Sequence, residues 1–461
     1  MDIAEKHIVY FLGIGGIGMS ALARWFVHAG YKVAGYDKTP SNLTKQLQDE
    51  GIDISFDENV AAIPDFVVND PHRVLVVITP AIPKDHPQWQ YFIAKDYDLQ
   101  KRAQVLGKIT SQGYAICVAG THGKTTTTAM LSHIFNESKT SVAAFVGGIM
   151  SNYDSNLIIK GEPGSETIFI CEADEYDRSF HQLHPDLAII TSADPDHLDV
   201  YGDNETVKKS FQAFSERLPE NGKLVLKNNL SAGFEIRKGI QMISYGDIEA
   251  QARAVNIRIE DGYFTFDYQG PNGTITNIHL LQPGFHNVEN AVAAITTALL
   301  CEISPEAIKK ALTTFKGVNR RFQYILRNDN HVFIDDYAHH PRELEVFIES
   351  VKSLYPSKKF TAIFQPHLYS RTRDFSDSFA QSLSKVDRLV LLEIYPAREL
   401  PIEGVTAAAL LAKVPLEDKQ LLSKEALPGW VRKESPELLA TIGAGDIDRL
   451  VEPIKNSLQA R

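Results

Sequence analysis

The chain has 461 residues, 44% hydrophobic and 23% charged, with a formal net charge of −11 from 58 acidic and 47 basic side chains. At roughly 150 residues per domain, this length predicts about three domains. The ordinary globular mix excludes a disordered, collagen-like or coiled-coil chain, and the acidic balance argues against a sequence-independent grip on nucleic acid.

The first hundred residues alternate strand and helix signals, which argues for a parallel sheet with helices on its faces. His7 to Leu12 predicts a strand, Met19 to Ala29 a helix and Lys32 to Tyr36 a second strand; Phe66 to Val68 and Val74 to Ile78 read as further strands. Between the first strand and the first helix lies Gly13-Ile14-Gly15-Gly16-Ile17-Gly18, which fits G-x-G-x-x-G. Asp37 stands about 20 residues on, at a strand end. Such glycines let the backbone approach a pyrophosphate, which the helix N-terminus favours electrostatically. Asp37 could accept from a ribose or other hydroxyl. The pattern alone leaves open whether the diphosphate belongs to NAD or to a UDP-sugar.

The polar stretch Lys101 to Gly113 reads as a boundary, after which Tyr114 to Ala119 predicts a strand. It runs into Gly120-Thr121-His122-Gly123-Lys124-Thr125-Thr126, which resembles a Walker A loop but is shorter, with Val118 where the full pattern has its first glycine. Backbone N–H groups there can form an anion nest, Lys124 can neutralise phosphate oxygens, and Thr125 can ligate Mg2+. Two later strands end in acids: Thr167 to Cys171 leads to Glu172, Asp174 and Glu175, and Leu187 to Thr191 leads to Asp194, Asp196, His197 and Asp199. Downstream of a P-loop, such ends are where metal ligands stand. Lys223 to Leu226 predicts another strand, and residues 240–281 read as short strands forming a β insertion. Helices are expected over Val288 to Leu300 and Pro305 to Phe315, with Asn287 as N-cap and His286 and Asn290 able to face a base.

The third part alternates again: strand Val332 to Ile334, helix Leu344 to Leu354, strand Phe360 to Phe364, helix Phe375 to Leu383, strand Arg388 to Leu392. Its strand ends carry Asp335-Asp336-Tyr337-Ala338-His339-His340 and Gln365-Pro366-His367 through Arg371 and Arg373, and Arg320-Arg321 precedes it. Ligands gather at the carboxyl ends of strands in open α/β sheets. The three cysteines form no CxxC pair, there is no signal-peptide pattern, and no apolar run approaches membrane-spanning length. A cytoplasmic protein without membrane or nucleic-acid partners is expected.

The chain resembles the Mur ligases of peptidoglycan synthesis over essentially its whole length. The likeness rests on GIGGIGMS (Gly13 to Ser20), GTHGKTT (Gly120 to Thr126), GVNRRF (Gly317 to Phe322), FQPHLYSRTRD (Phe364 to Asp374), IYPA (Ile394 to Ala397) and Gly443 to Ile447. It implies a Rossmann-like UDP-sugar domain over 1–106, a central P-loop domain with a parallel sheet plus β insertion over 107–316, and a Rossmann-like ligase domain over 317–461. The activity implied is ATP-dependent attachment of L-alanine to UDP-N-acetylmuramate through an acyl phosphate. Magnesium would assist as two ions, which Mn2+ can replace, and the enzyme would be a monomer or homodimer. Gly15, Gly16, Ile17, Gly18, Met19, Ser20, Asp37, Thr79 and Ala81 would contact the UDP-sugar. Gly120 to Thr126, His286, Asn287, Asn290, Arg321 and Asp336 would contact ATP, and Tyr337, His339, Arg371 and Arg373 the amino acid. Lys124, Glu172, His197 and His339 would be catalytic, with Thr125, Glu172 and His197 on metal.

Two departures stand out. Thr79-Pro80-Ala81-Ile82 replaces the more usual Ser-Ser-Ala-Ile, and Gln212 stands near where sister ligases carry a carbamylated lysine. Glu172 to Asp177 is shared with the ligase that attaches a recycled tripeptide, which is the nearest alternative. A nicotinamide-dependent dehydrogenase and a P-loop nucleotide sensor are the alternatives of other classes.

Overall fold

A computed structural model describes residues 5–162, 164, 166–194, 201, 203–260, 263–397 and 399–459. It is an α/β structure with three sheets. The first holds β1 (Ile8–Leu12), β2 (Lys32–Tyr36), β3 (Asp53–Ser55), β4 (Val74–Ile78) and β5 (Asp98–Lys101) in the order β3-β2-β1-β4-β5. All its pairings are parallel. The order reverses beside β1, so the glycine turn after β1 and Thr79 after β4 flank the switch point where ligands bind.

The second sheet has ten strands: β6 (Tyr114–Ala119), β7 (Val142–Met150), β8 (Ser155–Lys160), β9 (Ile168–Ala173), β10 (Leu187–Ile190), β11 (Lys223–Lys227), β12 (Gln241–Gly246), β13 (Ala252–Glu260), β14 (Tyr263–Gly270) and β15 (Gly273–Leu280). Their order is β15-β14-β13-β12-β11-β10-β6-β9-β7-β8. The glycine turn after β6 therefore emerges between the ends of β9 and β10. Parallel register sets Val118 opposite Glu172. The region read as a β insertion supplies β12 to β15, the outer four strands of this same sheet.

The third sheet runs β16-β17-β21-β18-β19-β20, with β16 (Gln323–Arg327), β17 (Val332–Asp336), β18 (Phe360–Phe364), β19 (Arg388–Leu391), β20 (Lys419–Leu421) and β21 (Leu438–Ile442). Only the β16–β17 pairing is antiparallel among those described. Five helices border the candidate site residues: α1 (Ile17–His28), α2 (Arg102–Thr110), α3 (Lys124–Glu137), α4 (Phe285–Leu300) and α5 (Pro341–Leu354).

Two compact units emerge. The first comprises Met1–Arg253, Tyr268–Thr274 and Asn290–Ala311; the second comprises Ala254–Asp267, Ile275–Glu289 and Leu312–Arg461. Within the first unit one continuous apolar core joins the five-stranded sheet to the P-loop sheet. Trp25 of α1 packs its ring against Phe145 and Phe169, with centroids 5.6 and 5.8 Å away. Such aromatic pairs add to area burial, and here they fix α1 against β7 and β9.

One sequence reading is corrected. Phe66 to Val68 is not a strand but a helical turn, Asp65–Val68, entered from Pro64. Three apolar residues carry no period, and Pro64 followed by Asp65 starts a helix. The stretch from Lys101 to Gly113, read as a boundary, contains α2, whose Val105, Leu106 and Ile109 are buried. No helix among the described residues is long and apolar enough to cross a membrane.

Candidate active site

The first glycine turn is folded over the end of β2. Gly13 and Ile14 both donate their N–H to Tyr36 O, at 2.8 and 3.0 Å. Asp37 closes the turn: its Oδ2 accepts from Gly15 N at 2.8 Å and its Oδ1 from Thr39 N at 3.1 Å. A carboxylate has about four lone-pair sites, so Asp37 keeps acceptor capacity for a ligand hydroxyl. Ser20 does not face outward; it is fully buried and accepts from Asn156 Nδ2 at 2.9 Å. Gly16, Ile17, Gly18, Met19 and Thr79 line a cavity of about 270 Å³ that also reaches Glu172. Ala81 donates its N–H toward Thr79 Oγ1 at 3.5 Å.

The second glycine turn is buttressed by the end of β10. Ser192 Oγ accepts from His122 N at 2.7 Å and lies 2.9 Å from Thr121 Oγ1. Gly123 adopts the left-handed conformation (φ 81°) that lets the chain turn into α3, and a Cβ there would come within 2.8 Å of Asn290 Oδ1. Asn290 thus stands against the turn. Lys124, first in α3, donates to Gly120 O at 2.6 Å and forms an ion pair with Glu175 at 2.8 Å. Burial opposes its charge, yet Glu175, Glu172 and Asp174 together hold its pKa above the usual lysine value. Burial likewise pushes the Glu175 carboxyl up, while Lys124 pulls it down.

Thr125 Oγ1 donates to the Glu172 carboxylate at 3.0 and 3.1 Å. Glu172 Oε2 also accepts from Gly147 N in β7 at 3.0 Å. A hydroxyl and a carboxylate so placed form a hard-oxygen set that fits Mg2+, which takes few protein ligands and keeps several waters. His122 Nε2 lies 3.8 Å from Asp194 Oδ2. His197 lies outside the described residues, so its expected metal role has no geometry here.

In the second unit, α4 begins at Phe285, so Asn287 lies inside its first turn and is not the N-cap. Gly284 (φ 108°) makes the turn instead, and Asn287 Nδ2 donates back to Pro283 O at 2.7 Å. His286 Nδ1 lies 3.4 Å from Ser350 Oγ. Asp336 ends β17 and accepts from Phe322 N at 2.7 Å and Ala338 N at 2.8 Å. Its pKa is raised to about 7, chiefly by burial, with Arg321 opposing. Tyr337 is covered by both guanidiniums, Arg320 at 5.0 Å and Arg321 at 5.1 Å.

His339 lies beside Glu343 (3.3 Å) and 6.0 Å from the His367 ring. His367, not among the expected site residues, stacks on Tyr395 at 5.8 Å. Arg371 acts electrostatically on both histidines. Arg373 stands apart, exposed and bonded to Asp374 at 2.7 Å. Two residues apart on a helix, the two arginines face different ways.

Burial pushes the His339 pKa down to about 4; Glu343 opposes this and Arg371 adds to it. The unfolded chain therefore takes up this proton first, near pH 6.5. Stability is full above that pH and falls as pH drops toward 4. The loss due to this residue is about 2 kcal/mol at pH 5. Thermal melts at pH 7.5 and 5 are expected to show a smaller drop for His339→Gln than for the wild type. Equal drops would remove His339 as the cause.

Two glycine turns at switch points among parallel strands of two sheets, the second with lysine, threonine and a facing carboxylate, define a nucleotide-binding α/β protein of P-loop type. Family models match in three consecutive segments: the Mur ligase family catalytic domain over 8–114, the Mur ligase middle domain over 118–298 and the Mur ligase glutamate ligase domain over 320–439. UDP-N-acetylmuramate–L-alanine ligase of Flavobacterium psychrophilum is 48% identical over 462 residues, covering 100% of both chains. The protein of the same name from Parabacteroides distasonis is 49% identical over 459 residues, 99% of this chain and 98% of that one. The crystal structure of UDP-N-acetylmuramate-alanine ligase from Thermotoga maritima matches with a TM-score of 0.78 at 27% identity, covering 98% of this chain and 99% of that chain. The chain belongs to the Mur ligase family.

Proposed function

We propose that this protein joins L-alanine to the lactyl carboxylate of UDP-N-acetylmuramate at the expense of ATP, in the cytoplasm, as a step of peptidoglycan precursor synthesis. The single observation that carries the reading is the 48% identity to a ligase of that name along the full length of both chains. In this reading residues 1–106 bind the UDP-sugar, 107–316 bind ATP and 317–461 complete the ligase.

The difficulty of the reaction is electrostatic. A carboxylate approaching a phosphate oxygen at ~3.5 Å meets roughly 5 kcal/mol of repulsion per charge pair at an effective dielectric near 20. Left unscreened, that costs more than three decades in rate, roughly. The N–H groups of Gly120 to Thr126 and the Lys124 ammonium would receive the ATP phosphates. Thr125 and Glu172 would hold Mg2+, which when bound supplies further charge neutralisation. The lactyl carboxylate attacks the γ-phosphorus, ADP leaves, and the alanine amine then displaces phosphate from the acyl phosphate. His339, neutral at physiological pH because its pKa is near 4, would present an uncharged imidazole on the amino-acid side. Arg371 would hold the alanine carboxylate by charge-assisted hydrogen bonds.

The test is phosphate release from ATP with UDP-N-acetylmuramate and a panel of L-alanine, glycine, L-serine and the tripeptide. Release is expected only when the UDP-sugar and an amino acid are both present, and fastest with L-alanine. Preference for the tripeptide, or release indifferent to the acceptor, would contradict the proposal.

A further inference from the structure

The cavity under the first glycine turn is lined unevenly in charge. Its described lining includes Gly16, Gly18 and Thr79 at one end and Glu172 and Asp174 at the other. A diphosphate entering between two carboxylates and a glycine turn needs a cation. Among the described lining residues there is one, Arg102. Arg102 opens α2 directly after β5, at the carboxyl edge of the first sheet, the same edge as the Gly13–Gly18 turn and Thr79.

The guanidinium reaches in two directions. Its Nη2 lies 3.5 Å from Asp174 Oδ2. Its Nη1 lies where a side chain on Gly18 would have to go: a Cβ there would sit 2.8 Å from Nη1 and 3.2 Å from Cζ. The missing Cβ at Gly18 is what admits the guanidinium to the turn. Arg102 is four-fifths buried, with 21% of its side chain exposed, and Asp174 is 41% exposed. Guanidinium offers five N–H donors in a fixed fork. Asp174 engages one edge and leaves donors for an anion beside the α1 N-terminus, which itself favours negative charge.

We infer that Arg102 is a substrate-binding residue that grips the diphosphate of the UDP-sugar, with Asp174 holding its guanidinium in place. The inference rests on the UDP-sugar reading given above. Placement at Gly18, rather than at the second glycine turn, selects the diphosphate over the lactyl carboxylate as the group it holds.

Calorimetric titration of the full-length protein with UDP alone, and with UDP-N-acetylmuramate, tests this in Arg102→Ala, Arg102→Lys and Asp174→Asn. Arg102→Ala is expected to weaken UDP by about 20-fold or more, with affinity for a non-hydrolysable ATP analogue unchanged. Arg102→Lys should recover part of the loss. Asp174→Asn should weaken UDP less than Arg102→Ala does, because the arginine remains and only its positioning is loosened. In turnover, KM for the UDP-sugar should rise while KM for ATP stays put. UDP affinity within twofold of wild type in Arg102→Ala would overturn the inference. So would an equal loss in Asp174→Asn, which would make the pair structural. Weakening confined to UDP-N-acetylmuramate, with UDP unaffected, would move the arginine to the carboxylate and overturn the diphosphate assignment. If the wild type binds neither UDP nor the UDP-sugar, the substrate reading itself fails instead.

Discussion

Lys124→Ala is expected to lower phosphate release at least about a thousandfold, the rate equivalent of one unscreened charge pair at bonding distance. The lysine is held for this task by Gly120 O and Glu175, with its ammonium kept charged by three surrounding carboxylates. Its removal leaves Glu175, 1% exposed, without its cation. That carboxyl is already pushed toward its neutral form by burial, so it can take up a proton. The fold should survive with a loss of about 3 kcal/mol, typical of breaking a buried pair. Circular dichroism at room temperature should match wild type while the coupled phosphate assay reads background. Turnover within tenfold of wild type would remove the second glycine turn from the reaction.

The second large effect is expected at a glycine whose N–H bonds the Glu172 carboxylate. A Cβ on Gly147 would overlap Glu172 Oε2 and come within 2.7 Å of its Cδ. Gly147→Ala must therefore push the carboxylate off Thr125, with which it now shares two contacts of 3.0 and 3.1 Å. Misplacement of a catalytic group by about 1 Å costs about a hundredfold in rate. The loss should be accompanied by a higher Mg2+ requirement. It should also be non-additive: Gly147→Ala combined with Glu172→Gln should be no worse than Glu172→Gln alone, because both act on one group. Additive losses would show that Gly147 acts elsewhere. Glycine inside a strand marks a close approach of this kind.

These two residues also mark how far the sequence could be read. Both glycine turns were legible because strand, glycines and helix are contiguous, and the chemistry of the turn is written in one short segment. Lys124 and Thr125 follow from that same segment, since they open the helix after β6, whereas Asn290 reaches the turn from α4. The acids after β9 were legible as a group, but not their division of labour. The pleat of β9 turns Glu172 toward Thr125, and the turn that follows the strand brings Glu175 to Lys124.

Gly147 was invisible because the hairpin β7–β8 pairs with β9 across the sheet, and Gly147-Gly148 interrupts the apolar run that would have announced a strand. Arg102 sat in a polar stretch that read as a boundary; its meaning comes from the end of β5 lying beside a turn 84 positions earlier in the chain, at Gly18. Asn287 was misassigned because Asn is a favoured N-cap, whereas Gly284 turned the chain earlier. The Arg371 and Arg373 pair read as one amino-acid clamp, and helical geometry sends the second arginine to Asp374 and solvent.

The central claim is that an oxygen of the substrate carboxylate attacks the γ-phosphorus. UDP-N-acetylmuramate labelled with heavy oxygen in its lactyl carboxylate, turned over with unlabelled ATP and L-alanine, tests it directly. One labelled oxygen is expected in each phosphate released, because the acyl phosphate expels it when the amine adds. Phosphate carrying no label, with dipeptide-like product still formed, would mean that the carboxylate was never phosphorylated and would contradict the account.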